Sequence, residues 1–139
     1  MIAQLLICAS AAIALLLGTV HLVYTFASNK FQPRDPALCE QMQKISPVIS
    51  RQTTVWRAWV GFNASHSLGA MLFGLVYGYL ALAAPQALLR DGFLLGLGVV
   101  FLASMALLAR RYWFNIPLIG ISLALLLFVG AVMLQALPL

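Results

Sequence analysis

Four long stretches of this chain carry no charged residue: 1–29, 58–89, 92–109 and 112–139. A helix needs about 20 apolar residues to cross the hydrocarbon of a bilayer, within a range of about 17–25. Each stretch therefore accommodates one crossing, and none accommodates two joined by a turn. Lipid offers no partner to a bare peptide group, so only helices or closed barrels can span it. The stretches lack the period-two alternation of barrel strands, which leaves helices. Spans are predicted near residues 3–26, 55–82, 92–110 and 116–137. Composition agrees: 63% of residues are hydrophobic and 8% charged, against about 25% charged in a soluble domain. The expected fold is all-α, one membrane domain over 1–139, built as an antiparallel four-helix bundle.

The formal net charge of +5 is explained by membrane topology rather than by nucleic acid, because basic residues hold connections in the cytoplasm. The first and third connections hold Lys30, Arg34, Lys44, Arg51 and Arg57, then Arg110 and Arg111; the second holds Arg90 alone. This asymmetry predicts an inner (cell) membrane protein with both termini outside the cytoplasm. The first apolar run has no Lys or Arg before it and exceeds a signal-peptide core, so it is expected to be retained as a span. In the cytoplasmic connection, 28–54, Asp35-Pro36 has the form of an N-cap followed by a first helical residue. Leu38, Met42 and Ile45 then form an apolar stripe, predicting a short amphipathic helix on the membrane surface. Ser46-Pro47 suggests a second helix start, from which the second span could extend. Trp56, Trp59, Tyr112 and Trp113 suit an inner aromatic belt, and Tyr77 and Tyr79 an outer one. Small residues that let helices approach closely recur at Ala14 and Gly18, at Ala70, Gly74 and Gly78, at Gly92 and Gly96, and at Gly120 and Ala124.

Polar side chains gather at the ends of spans one, two and four nearest the basic connections. Such groups are costly in lipid and turn toward a bundle interior or a cavity. The candidate ligand-binding residues are His21, Thr25, Arg57, Asn63, His66, Ser67 and Asn115. Three readings of the two histidines compete. They can simply tie helices together, with Asn63 and His66 paired at i,i+3 and with Thr25 and Ser67 returning their hydroxyls to the backbone. They can line a pocket for a lipid, isoprenoid or quinone, whose head Arg57, Arg110 or Arg111 would take. Or His21 and His66 can ligate a b-type haem in an electron carrier. A rise of about 1.5 Å per residue puts their heights roughly 7 Å apart, which counts against the haem. A fourth possibility is an accessory subunit, docked in a homo-oligomer or a larger membrane complex.

Other chemistry is excluded by what is missing from the spans. Asp35, Glu40 and Asp91 all fall in connections, so no paired carboxylates work inside the membrane. No Lys lies in a span to form a Schiff base. Cys8 and Cys39 belong to no metal-binding spacing, and no glycine-rich phosphate loop is present. Adjacent helical residues do not face each other, so Ser65-His66-Ser67 is no nucleophile pair.

Gly18-Thr-Val-His-Leu-Val-Tyr-Thr-Phe26 and Trp56-Arg-Ala-Trp-Val-Gly-Phe-Asn-Ala-Ser-His-Ser-Leu-Gly69 resemble the signatures of a family of small bacterial four-span inner-membrane proteins. The resemblance covers nearly the whole chain and implies a bacterial inner-membrane location and four spans, with no reaction attached. In size and span count the chain is also similar to emopamil-binding sterol isomerases and DoxX-type proteins. Those isomerases use intramembrane acidic residues, which this chain lacks. The gathering of polar residues beside small-residue seams gives the expected function: the binding of a hydrophobic or amphiphilic ligand in a histidine-containing pocket of the cytoplasmic half.

Overall fold

A computed structural model describes residues 1–136. Leu137, the predicted end of the fourth span, and the C-terminus lie outside the described residues. Among the described residues six helices form: α1 (Ile2–Ala27), α2 (Pro36–Lys44), α3 (Val55–Ala83), α4 (Pro85–Arg90), α5 (Gly92–Tyr112) and α6 (Asn115–Ala136). Among the described residues there is no strand, and α1, α3, α5 and α6 are long and apolar enough to cross a membrane. The chain is thus all-helical, with the hallmarks of a multi-pass membrane protein. Most large apolar side chains of these four helices are exposed, as expected where the solvent is lipid.

The chain divides into two compact units. One holds Met1–Leu17 together with the residues from Ala70 onward, and the other holds Gly18–Gly69.

The first unit packs small residues against large rings. Gly74 lies so close to α1 that a Cβ placed there would sit 2.7 Å from the Ala11 carbonyl oxygen and 2.8 Å from the Leu15 amide nitrogen. Gly98 faces the ring of Phe128, and Gly120 faces Leu17. Phe128, Leu102 and Ile7 are completely enclosed. Phe73 stacks on Phe101 with centroids 4.8 Å apart, and Tyr77 meets Phe128 edge-on at 5.3 Å. Polar groups here bond to backbone carbonyls: Ser10 Oγ donates to Ala124 O at 2.8 Å, and Tyr77 Oη donates to Leu94 O at 2.7 Å. Tyr77 is therefore a buried strut rather than part of an outer aromatic belt, whereas Tyr79 is exposed. Gly92 and Gly96 have open space around them and form no seam; Gly98 is the α5 glycine in contact. Two turns shape the α3–α5 connection. Pro85 opens α4, which the charge pattern alone did not distinguish from a loop. Asp91 then caps α5, accepting the N–H groups of Phe93 and Leu94, where its negative charge suits the helix N-terminus.

The Gly18–Gly69 unit contains the last turns of α1, all of α2 and the first half of α3. Asp35 accepts the Ala37 N–H at 2.9 Å and Pro36 occupies the first helical position, so α2 starts as the dipeptide implied. Lys44 pairs with Glu40 one turn away. No residue of α2 is buried, and Leu38 and Ile45 are exposed. Ser46-Pro47 starts no helix. The backbone continues irregularly to Thr54, closed by a Val55 N–H to Ile45 O bond of 2.9 Å. The hydroxyl of Thr54 accepts the Arg57 N–H at 3.3 Å and so caps α3 at Val55.

Candidate functional site

Six of the seven predicted residues fall in the Gly18–Gly69 unit. His21 and Thr25 stand one turn apart near the end of α1, and Asn63, His66 and Ser67 share a face of α3. The amide of Asn63 joins the two helices. Its Nδ2 donates to the Trp59 carbonyl at 2.8 Å, which fixes the amide's orientation and turns Oδ1 toward His21. His21 Nε2 donates to that Oδ1 at 3.0 Å. An amide oxygen can only accept, so the His21 proton on this side is carried by Nε2. Asn63 is 7% exposed and Ser67 completely buried. This network is what such polar atoms need in a low-dielectric surrounding.

Thr25 Oγ1 donates to the His21 carbonyl at 2.8 Å, and Ser67 Oγ to the Asn63 carbonyl at 2.9 Å. Both are the i−4 returns expected of helical hydroxyls in lipid. The i,i+3 spacing puts Asn63 and His66 on one face of α3. His66 presents its ring edge-on to that of His21, with centroids 5.2 Å apart and planes at 68°. The predicted height offset of roughly 7 Å therefore does not separate the rings; counting axial rise ignores helix tilt and the reach of two side chains.

A short strap completes the site. After α1 ends at Ala27, Ser28 Oγ donates back to the Tyr24 carbonyl and accepts the Lys30 N–H. The chain then places the Phe31 ring 4.5 Å from that of His21. Trp59 Nε1 holds the strap by donating to the Phe31 carbonyl at 3.1 Å. Beneath the strap lies a cavity of about 200 Å3, lined by Thr25 and Asn63 among the predicted residues and by Phe31, Gln32, Trp56 and Trp59. Phe26, Ser28 and Val60 complete its wall. On the other side of Phe31 and Trp59 runs a shallower groove along Lys30, Pro33 and Met42.

Of the remaining predicted residues, His21, His66 and Ser67 are close to this cavity's wall through Asn63 but do not line it. Arg57 is exposed and also absent from the lining. Asn115 belongs to the other unit, where it opens α6 as an exposed residue. Arg110 and Arg111 are exposed there too. Sequence reasoning missed Phe26, Ser28, Phe31, Gln32 and Val60 altogether, and gave Trp56 and Trp59 only a place in an aromatic belt. The strap turns over Asn29–Gln32, closed by the Gln32 N–H to Asn29 O bond of 3.1 Å; Asn29, a turn former, and Pro33 were the available signals. Among the described residues, no three of His, Cys, Asp and Glu come together as a metal site, and no buried polar side-chain atom lacks a partner. Compared with protein-family models, with curated proteins and with solved structures, the chain matches none.

Proposed function

We propose that this chain is a four-span protein of a bacterial inner membrane, an antiparallel helix bundle that binds a hydrophobic or amphiphilic ligand in its Gly18–Gly69 unit. The basic connection of that unit faces the cytoplasm, with α2 lying on the membrane surface. The cavity under the Phe31 strap is the observation that carries this reading. It combines aromatic walls with a few placed polar groups, the usual make-up of a small-molecule site. Its volume suits a head or ring, with the tail running out along exposed apolar helix faces. The His21–Asn63 bond supplies rigidity: it holds α1 and α3 at the spacing that keeps the cavity open. The likeness of the two sequence signatures to small bacterial four-span proteins supports the location.

The site geometry speaks less for haem. Two axial imidazoles must leave the thickness of a porphyrin between them, with a ring nitrogen of each aimed at the iron. Here the rings meet edge to face, and Nε2 of His21 is engaged with Asn63.

Native mass spectrometry of the gently solubilised protein, followed by extraction, tests the proposal. One class of lipid, isoprenoid or quinone is expected to remain bound at a fixed ratio to the chain. Recovery of nothing but bulk phospholipid in variable amounts would defeat it, and a Soret band in the same sample would restore the haem reading.

A further inference from the structure

The wall of the cavity narrows the chemistry of its occupant. None of its nine lining residues is charged: four are aromatic, four are neutral and polar, and one is Val60. Among the described residues, the Trp56 indole N–H and the Gln32 side-chain amide make no hydrogen bond, and Asn63 Nδ2 uses one of its two hydrogens on Trp59. The wall thus offers neutral N–H donors between flat apolar surfaces, and no countercharge. We infer that the cavity takes a neutral, planar head bearing carbonyl acceptors, the class of a quinone ring, in preference to a charged headgroup. This deepens the amphiphile reading and rests on it.

Two charged alternatives fit less well for separate reasons. An anionic head would find no cation in the wall, and the helix ends give no net pull: the last turn of α1 (Thr25, Phe26) and the first turns of α3 (Trp56, Trp59) both line it, with opposite partial charges. An uncompensated charge in such a place is costly. Arg57, the cation expected to serve an anionic head, is not in the wall. A cationic head would find aromatic faces, but it would enter a unit with five basic residues against two acidic ones. Of those two, Glu40 is paired with Lys44 and Asp35 caps α2. A quaternary ammonium also has no use for N–H donors, whereas the two carbonyls of a quinone do.

The test compares three ligands that share one tail: a decyl-tailed benzoquinone, decyl phosphate and decyltrimethylammonium. Each is titrated calorimetrically into the full-length protein in detergent, and into two variants. Val60→Phe fills the cavity, and Gln32→Leu removes a donor from an exposed strap residue without touching the helices. The quinone should bind saturably and at least about tenfold more tightly than either charged ligand. Val60→Phe should weaken it by about tenfold or more, and Gln32→Leu by about threefold to tenfold. Circular dichroism confirms folding of both variants, and Gln32→Leu carries the test alone if Val60→Phe does not fold. Saturable binding of decyl phosphate or decyltrimethylammonium that these variants abolish, without quinone binding, overturns the neutral-head inference and leaves the amphiphile reading standing. If none of the three binds saturably, both fall.

Discussion

The two units of this chain solve the same physical problem in opposite ways. In the unit built from Met1–Leu17 and the residues beyond Ala70, side-chain shape does the holding. Glycine and alanine admit rings, and the buried hydroxyls of Ser10 and Tyr77 end on backbone carbonyls. In the Gly18–Gly69 unit a side-chain pair, His21 with Asn63, joins α1 to α3, and Trp59 donates to the Phe31 backbone carbonyl of the strap. Lipid supplies no hydrophobic force between helices, so association must come from close packing or from hydrogen bonds. The first unit relies mainly on the former, beside the bonds of Ser10 and Tyr77. The second uses more of the latter, with open space beside the bonds. A region packed this closely leaves little room between its helices, and a region with open space forgoes some packing.

This contrast predicts a ranking of mutational effects. Phe128→Ala should be the most damaging, at about 3 kcal/mol. The vacated space is enclosed and dry, and the cavity penalty applies even where transfer to lipid contributes little. Gly74→Ala should follow at about 2 kcal/mol, because the added methyl meets backbone atoms that cannot step aside. Unfolding in mixed micelles, followed by circular dichroism, measures both. If either variant is as stable as the parent, the description of the first unit as packed to contact is wrong.

Asn63→Leu probes the other unit. It removes the acceptor of His21 and a donor to Trp59, and it puts an apolar group where the amide stood. Membrane hydrogen bonds across helices are worth about 0.6 kcal/mol on average, so loss of the His21 bond, with the return to Trp59 within α3, is expected to cost about 1 kcal/mol. Its effect on ligand retention should be larger than its effect on stability, because the amide also lines the cavity. Equal loss of both would make the network purely structural. A loss of stability near 3 kcal/mol would erase the distinction between the units.

How much of this was legible beforehand differs between the units for the same physical reason. The charge-free stretches announce long apolar helices because lipid excludes charge, and Asp35-Pro36 announces α2 because capping is local. The returns of Thr25 and Ser67 to the preceding turn are local as well. The partner of His21 was not readable, since it depends on how α1 and α3 are rotated. A helix apolar on every side carries no stripe to fix that rotation. The same blindness placed Gly92 and Gly96 in a seam that belongs to Gly98, and gave Tyr77 to an interface when its hydroxyl reaches Leu94. Phe31 was invisible for another reason: its position depends on a strap bonded to Trp59, 28 residues later in the chain.

The smallest expected effect is the most exacting check on the contrast. Gly61 and Gly69 lie on α3 like Gly74, in the same residue type and the same helix, yet nothing stands within 4 Å of a Cβ built on either. Alanine at Gly69 should therefore meet no clash and should gain helix propensity, which in water amounts to about 1 kcal/mol relative to glycine. In lipid the unfolded reference is itself helical, so most of that gain disappears and a change within about 0.5 kcal/mol is expected. Set beside Gly74→Ala, the pair holds chemistry constant and varies only the neighbours. A stability loss at Gly69 matching that at Gly74 would mean that an unseen surface closes on this face of α3.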